Sequence, residues 1–234
     1  TLTDFEDPGD LSIFVSDEYL DTIKDQIDDL GFMDGDFLSQ TFSCLRSNDL
    51  IYGPAVKSYL MGKKPPPFDL LYWNSDSTNL PGKMALEYLE KFYKNNDFSK
   101  GKLEVLGEKV NLEQISQPII AIGTFNDHIA PWKSSFNGLS KTSGEKVFIL
   151  AGSGHIAGII NPEHSNKYGY WMNNENYSTP EKWFNSSINK NGSWWNEWYE
   201  WKKQFLAEKI ISTKMIGITE IEPAPGRYVK KKNK

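Results

Sequence analysis

Two residues in this chain have types and positions suited to acid–base chemistry: Asp127 and His155. Each follows a short continuous apolar run, PIIAIG at 118–123 before the aspartate and KVFILA at 146–151 before the histidine. A neutral imidazole can take a proton from a cysteine or serine nucleophile near neutral pH. A carboxylate nearby can orient that ring or act as a second base. Gly152, Gly154 and Gly158 surround the histidine, as suits a tight loop where backbone comes close to a substrate. Taken alone, an Asp–His dipeptide at a strand end is more often structural than catalytic. A second histidine in a glycine loop after a second buried strand shifts the balance toward catalysis.

The pair needs positioning elements, and the pattern supplies them. Both apolar runs read as strands buried on both faces. The stretch between them contains the loop FNDHIAPW and residues able to form a helix. A strand–loop–helix–strand unit of this kind implies a parallel sheet, with ligands bound outside the carboxyl ends of the strands. Asp127 and His155 would then share one rim. The order acid then histidine matches the last two terms of the α/β-hydrolase order nucleophile, acid, histidine. No G-x-S-x-G elbow precedes Asp127. Cys44, in TFSCLRSND, lacks flanking glycines and reads as a buried packing cysteine. Ser153 sits two residues from His155, on the wrong side of the order for a nucleophile.

Upstream, Leu11, Ile13 and Val15 alternate like a short strand. Ser16 can cap a helix running to about Leu30 and ended by Gly31. Two short helices are expected over 36–44 and 49–61, then an extended connection at Pro65, Pro66 and Pro67. Residues 83–93 read as an amphipathic helix and 103–110 as a hairpin turning near Gly107. Residues 180–209 read as a long helical region broken near Gly192. In it Trp194, Trp198, Trp201 and Phe205 form an apolar stripe, read as core. The acidic start (Asp4, Glu6, Asp7, Asp10) and the lysine-rich end read as solvated segments.

Composition bounds the function. The net charge is −5, which does not make the basic footprint of a nucleic-acid binder. No apolar run approaches the ~18 residues of a membrane span. One cysteine excludes an internal disulfide framework and fits a reducing, cytoplasmic compartment. With three histidines and no zinc spacing, no metal site is expected. The chain opens TLTDFEDPGD, without an initiator Met or a secretory h-region, so a piece of a longer protein is expected.

Several motifs together resemble class I polyhydroxyalkanoate synthases. They are LRSNDLIY (45–52), FDLLYWNSDSTNLPG (68–82), DHIAPW (127–132), GSGHIAGIINP (152–162), GSWW (192–195) and EPAPGRYVK (222–230). The resemblance runs over nearly the whole chain in order. It implies an α/β class: the C-terminal portion of an α/β-hydrolase core, with a mostly helical cap segment at the N-terminal end. The expected division is a cap over 1–83 and core with a polar tail over 84–234. A G-x-C-x-G box carrying the cysteine nucleophile would lie upstream of Thr1.

By resemblance, His155 activates that thiol and Asp127 assists deprotonation of the attacking 3-hydroxyl. His128 is a neighbouring, non-principal histidine. Trp73 belongs to the DLL-aromatic-WN motif, with a structural or dimer-surface role. The implied acyltransferase polymerises (R)-3-hydroxyacyl-CoA, such as 3-hydroxybutyryl-CoA, with release of CoA and no cofactor, the CoA thioester being substrate. The implied setting is the surface of a cytoplasmic polyester granule, with a homodimer as the working form. A fragment without the nucleophile is expected to be inactive alone. Two alternatives stay open: an esterase or depolymerase of the same fold, which a serine in the upstream elbow would mark, and a non-catalytic granule-binding module.

Overall fold

The computed structural model describes residues 3–45, 47–64, 77–173, 175, 177–206, 219 and 221–231. Two compact units form, Ile23–Ala85 with Ala207–Lys234 and Thr1–Thr22 with Leu86–Leu206.

The first of these units is mostly helical. Helix Asp17–Leu30 runs into it, with Ser16 Oγ accepting the Tyr19 N–H at 3.3 Å and Gly31 following its last turn. Its buried Leu20, Ile23 and Ile27 recur at helical spacing. Helix Gly35–Leu45 and a helical run over 48–60 follow, as the pattern predicts. Strands β1 (Phe32–Met33) and β2 (Leu80–Pro81) pair antiparallel. Cys44 is exposed, not buried as expected. Trp73 lies outside the described residues.

In the other unit, β3 (Glu104–Val105) and β4 (Glu108–Lys109) make the expected hairpin. Leu106 and Gly107 at its turn both have positive φ, 52° and 84°, matching the twist of a tight hairpin. The main sheet runs β5 (Ile119–Thr124), β6 (Lys146–Ala151), β7 (Tyr170–Met172) and β8 (Ile188–Lys190), in that spatial order. β5 and β6 are parallel and joined through helix Trp132–Ser140, as the alternation of apolar runs implies. β7 and β8 add antiparallel, so the sheet is mixed. β6 is buried on both faces. Phe148 and Leu150 pack with Phe136, Leu139 and Trp183, while Ile149 and Ala151 pack with Tyr170 and Trp194. Among the described residues no helix is long and apolar enough to cross a membrane.

Three other expectations are corrected. Leu11–Val15 lies within a 3₁₀ helix, Gly9–Val15, not a strand. Alternation alone cannot hold a strand without a neighbour to pair with, and here Asp10 N–H is bonded to the His128 carbonyl instead, at 2.9 Å. The helical stretch after Pro180 ends at Ser186 and gives way to β8, because Ile188–Lys190 finds ladder partners on β7. The aromatic stripe is core only at its start. Trp194 is buried, but Trp198 and Phe205 are 38% and 48% exposed.

The acidic start is exposed at Glu6, Asp7 and Asp10, as expected, but not at Asp4. Asp4 is 4% exposed. Its Oδ1 accepts from Glu6 N–H (2.9 Å) and Asn96 Nδ2 (3.0 Å). Its Oδ2 accepts from Ser99 Oγ (2.8 Å) and pairs with Lys141 Nζ (2.9 Å). Phe5, next in sequence, packs edge-on against Tyr88 and Phe92. A charged residue was buried because enough donors were waiting for it.

Candidate active site

The parallel register brings the two strand ends level, with Thr124 opposite Ala151. Both chains leave the sheet on the same rim and stay in contact. Phe125 N–H bonds the Ala151 carbonyl and Asn126 N–H bonds the Ser153 carbonyl, each at 2.9 Å. Asp127 and His155 therefore meet. His155 Nδ1 lies 2.8 Å from Asp127 Oδ2.

The aspartate is held on every side. Its Oδ1 accepts the N–H groups of Ile129 (3.0 Å) and Ala130 (2.8 Å). Its Oδ2 also accepts from Thr124 Oγ1 at 3.1 Å. Burial by itself would raise the pKa of this carboxyl. The Ala130 N–H, the His155 ring and the Ile129 N–H outweigh burial and hold it below the usual carboxylate range. Asp127 is thus ionised near neutral pH and can only accept. The imidazole must then donate from Nδ1, which leaves the Nε2 lone pair of the neutral ring as the base. The Asp127 side chain is 7% exposed and that of His155 46%. The carboxylate is buried and the imidazole is accessible.

Gly158 closes the histidine loop, its N–H bonding the Gly154 carbonyl at 2.9 Å. A Cβ there would sit 2.5 Å from Thr124 Cγ2 and 2.6 Å from the Gly152 carbonyl oxygen. Gly158→Ala should push the histidine loop off the β5 end and cost about 2 kcal/mol, typical of overpacking. Chemical denaturation against the parent chain measures this.

The other predicted residues fall elsewhere. His128 faces the N-terminal 3₁₀ helix, with Nε2 4.0 Å from Asp10 Oδ2. It is not part of the Asp127–His155 contact. Among the described residues no Ser, Thr or Cys side chain hydrogen-bonds His155, and none of them form a metal-binding cluster. A concave space of about 350 Å³ lined by Phe136, Phe148, Tyr177 and Trp183, among others, contains neither member of the pair. Sequence reasoning missed Thr124 and the amides of Ile129 and Ala130. Their signal is an aspartate just past a strand followed by a loop whose N–H groups can turn back onto it.

No family model matches the chain. Curated relatives do. The poly(3-hydroxyalkanoate) polymerase subunit PhaC of Rhizobium meliloti (strain 1021) is 39% identical over 231 residues, 98% of this chain and 38% of that protein. The PhaC subunit of Cupriavidus necator is 39% identical over 241 residues, 99% of this chain and 41% of that protein. The poly(3-hydroxyalkanoate) polymerase of Methylorubrum extorquens is 35% identical over 236 residues, 99% and 39% of the two chains. The chain spans about two fifths of the length of these relatives. Along almost all of its length it is homologous to the C-terminal part of the poly(3-hydroxyalkanoate) polymerases.

Proposed function

We propose that this chain supplies the acid–base pair of a polyester synthase, on the C-terminal portion of an α/β-hydrolase core. The observation that carries the reading is the 2.8 Å contact between a buried, ionised Asp127 and an accessible His155 on adjacent parallel strand ends. The substrate is (R)-3-hydroxyacyl-CoA, and the nucleophile is a cysteine outside these 234 residues.

In this reading His155 Nε2 takes the thiol proton, and the thiolate attacks the thioester carbonyl. The carbon–sulfur bond to CoA breaks, and the imidazolium returns its proton to the leaving CoA thiolate. An acyl-enzyme remains. Nε2 next takes the proton of a 3-hydroxyl, whose oxygen attacks an acyl thioester. One ester forms, and the displaced sulfur is reprotonated. Asp127 orients the ring and stabilises its cationic form. With Asp127 buried and both its oxygens occupied, orientation suits it better than direct proton abstraction from the substrate. The same reading places the protein at the surface of a cytoplasmic polyester granule, working as a homodimer.

The test is CoA release from (R)-3-hydroxybutyryl-CoA. The 234-residue chain alone should give no more than its His155→Ala variant, since acid and base without a thiol form no acyl-enzyme. A longer polypeptide carrying the nucleophile should turn over and should lose that turnover on His155→Ala. Equal release from the longer polypeptide and its His155→Ala variant would overturn the assignment. If a serine fills the nucleophile position and ester hydrolysis replaces polymer growth, the esterase reading takes its place.

A further inference from the structure

We infer that Trp194 and Trp195 form a clamp that positions the His155 loop for proton transfer. This rests on His155 being the base. The two indoles are adjacent in sequence and donate to the carbonyls of two consecutive residues. Trp194 Nε1 bonds the Gly158 oxygen at 2.9 Å, and Trp195 Nε1 bonds the Ile159 oxygen at 3.0 Å. The link is reciprocated. Buried Asn161 donates from Nδ2 to the Lys167 carbonyl at 2.7 Å and to the Gly192 carbonyl at 3.5 Å, just before the tryptophans. Ser193 Oγ accepts the Trp195 N–H at 3.1 Å and fixes the start of helix Trp195–Lys203.

The geometry explains why a clamp is needed. The His155 ring is nearly half exposed, and its side-chain hydrogen bond is to Asp127 alone among the described residues. The turn that carries it is closed by the Gly158 N–H to the Gly154 carbonyl. The carbonyls of Gly158 and Ile159, at its far end, accept from the two indoles. Trp194 reaches the Gly158 carbonyl from the core, where it packs with Ile149, Ala151 and Tyr170. Helix Trp195–Lys203 is itself fastened to the sheet, because Tyr170 Oη and Lys190 Nζ both donate to Glu197 Oε1 at 2.9 and 2.6 Å. A rigid wall thus holds the backbone of the histidine loop, and the loop in turn presents the ring to the Asp127 carboxylate. Trp194 and Trp195 are positioning residues, acting through His155.

The same helix offers an internal control. Trp201 Nε1 is buried without a hydrogen-bond partner among the described residues. Trp201→Phe deletes an indole N–H that does no clamping.

The experiment is proton NMR of the 234-residue chain, following the His155 Nδ1 proton in its hydrogen bond to Asp127. With three histidines in the chain, single His→Gln variants assign it. Trp194→Phe/Trp195→Phe keeps an aromatic ring at each position but deletes both donors. It should speed exchange of that proton with solvent by about tenfold. Trp201→Phe should leave exchange as in the parent chain. In the longer polypeptide carrying the nucleophile, the double variant should lower kcat by about tenfold with KM nearly constant, as expected when a base is misplaced. Unchanged exchange in the double variant overturns the clamp, as does an equal rise in the Trp201→Phe control. If the double variant does not fold, Trp195→Phe alone decides, since that side chain is 37% exposed: faster exchange supports the clamp and unchanged exchange overturns it. Faster exchange with unaltered kcat would instead strike the assignment of His155 as the base and leave the positioning contact standing.

Discussion

Asp127→Asn should lower kcat for CoA release by about 10⁴-fold in a polypeptide that carries the nucleophile, while leaving the fold intact. The substitution is nearly isosteric. The side-chain carbonyl can still accept from Ile129 and Ala130, and the Thr124 hydroxyl can rotate to accept from the new amide nitrogen. What changes is the atom facing His155. A carboxylate oxygen that could only accept becomes a donor. The imidazole then turns its lone pair toward position 127 and carries its proton on Nε2. The ring is present, but in the tautomer that cannot act as base. Steady-state kinetics with a matched thermal melt separates this from unfolding. Activity within tenfold of the parent would mean that another group orients or replaces His155.

The second large effect is on stability. Asp4→Ala should destabilise the chain by about 3 kcal/mol, because it takes the carboxylate away from four donors. Asn96 and Ser99 are buried, and both would lose the carboxylate. Lys141, partly exposed, can turn to water and softens the loss. For a chain of this length the expected drop in Tm is about 6–12 °C.

The same carboxylate predicts a pH dependence. Burial alone would raise its pKa; the bonds from Lys141, the Glu6 N–H, Ser99 and Asn96 more than offset this, and lower it from 3.8 to about 2. A depressed folded-state pKa means the stabilisation is complete above the unfolded value and is lost as pH falls through the folded one. Parent stability should therefore fall between about pH 4 and pH 2 by an Asp4-dependent increment of about 2 kcal/mol. Asp4→Ala should lack that increment. Urea titrations of both proteins at pH 6 and pH 2 measure it, and parallel losses in the two would remove Asp4 as the cause.

Local pattern and turn chemistry made much of the architecture legible. The apolar runs 118–123 and 146–151 read as short buried strands, and their spacing left room for one helix, which set them parallel. From there Asp127 and His155 had to share a rim. Helix Asp17–Leu30 was legible from its cap and its stop, and the hairpin from Gly107. These are interactions between residues near in sequence, or a hydrophobic period that one strand imposes on itself.

Pairing and long-range polar contacts were not legible. β7 and β8 are three residues each, too short to show a period, and they exist because β6 offers an edge. Asp4 looked like a solvated acid because its partners lie more than 90 positions away. Trp194 looked like the start of an apolar stripe, because nothing in the spacing says that the indole N–H groups of Trp194 and Trp195 point at a loop 36 residues upstream. Local pattern was enough to say which residues could be acid and base and on which rim they would stand. That the carboxylate is buried and fully bonded while the imidazole is open came from the folded packing alone. Burial and hydrogen-bond partners are properties of what packs around a side chain, and that packing is assembled from segments far apart along the chain.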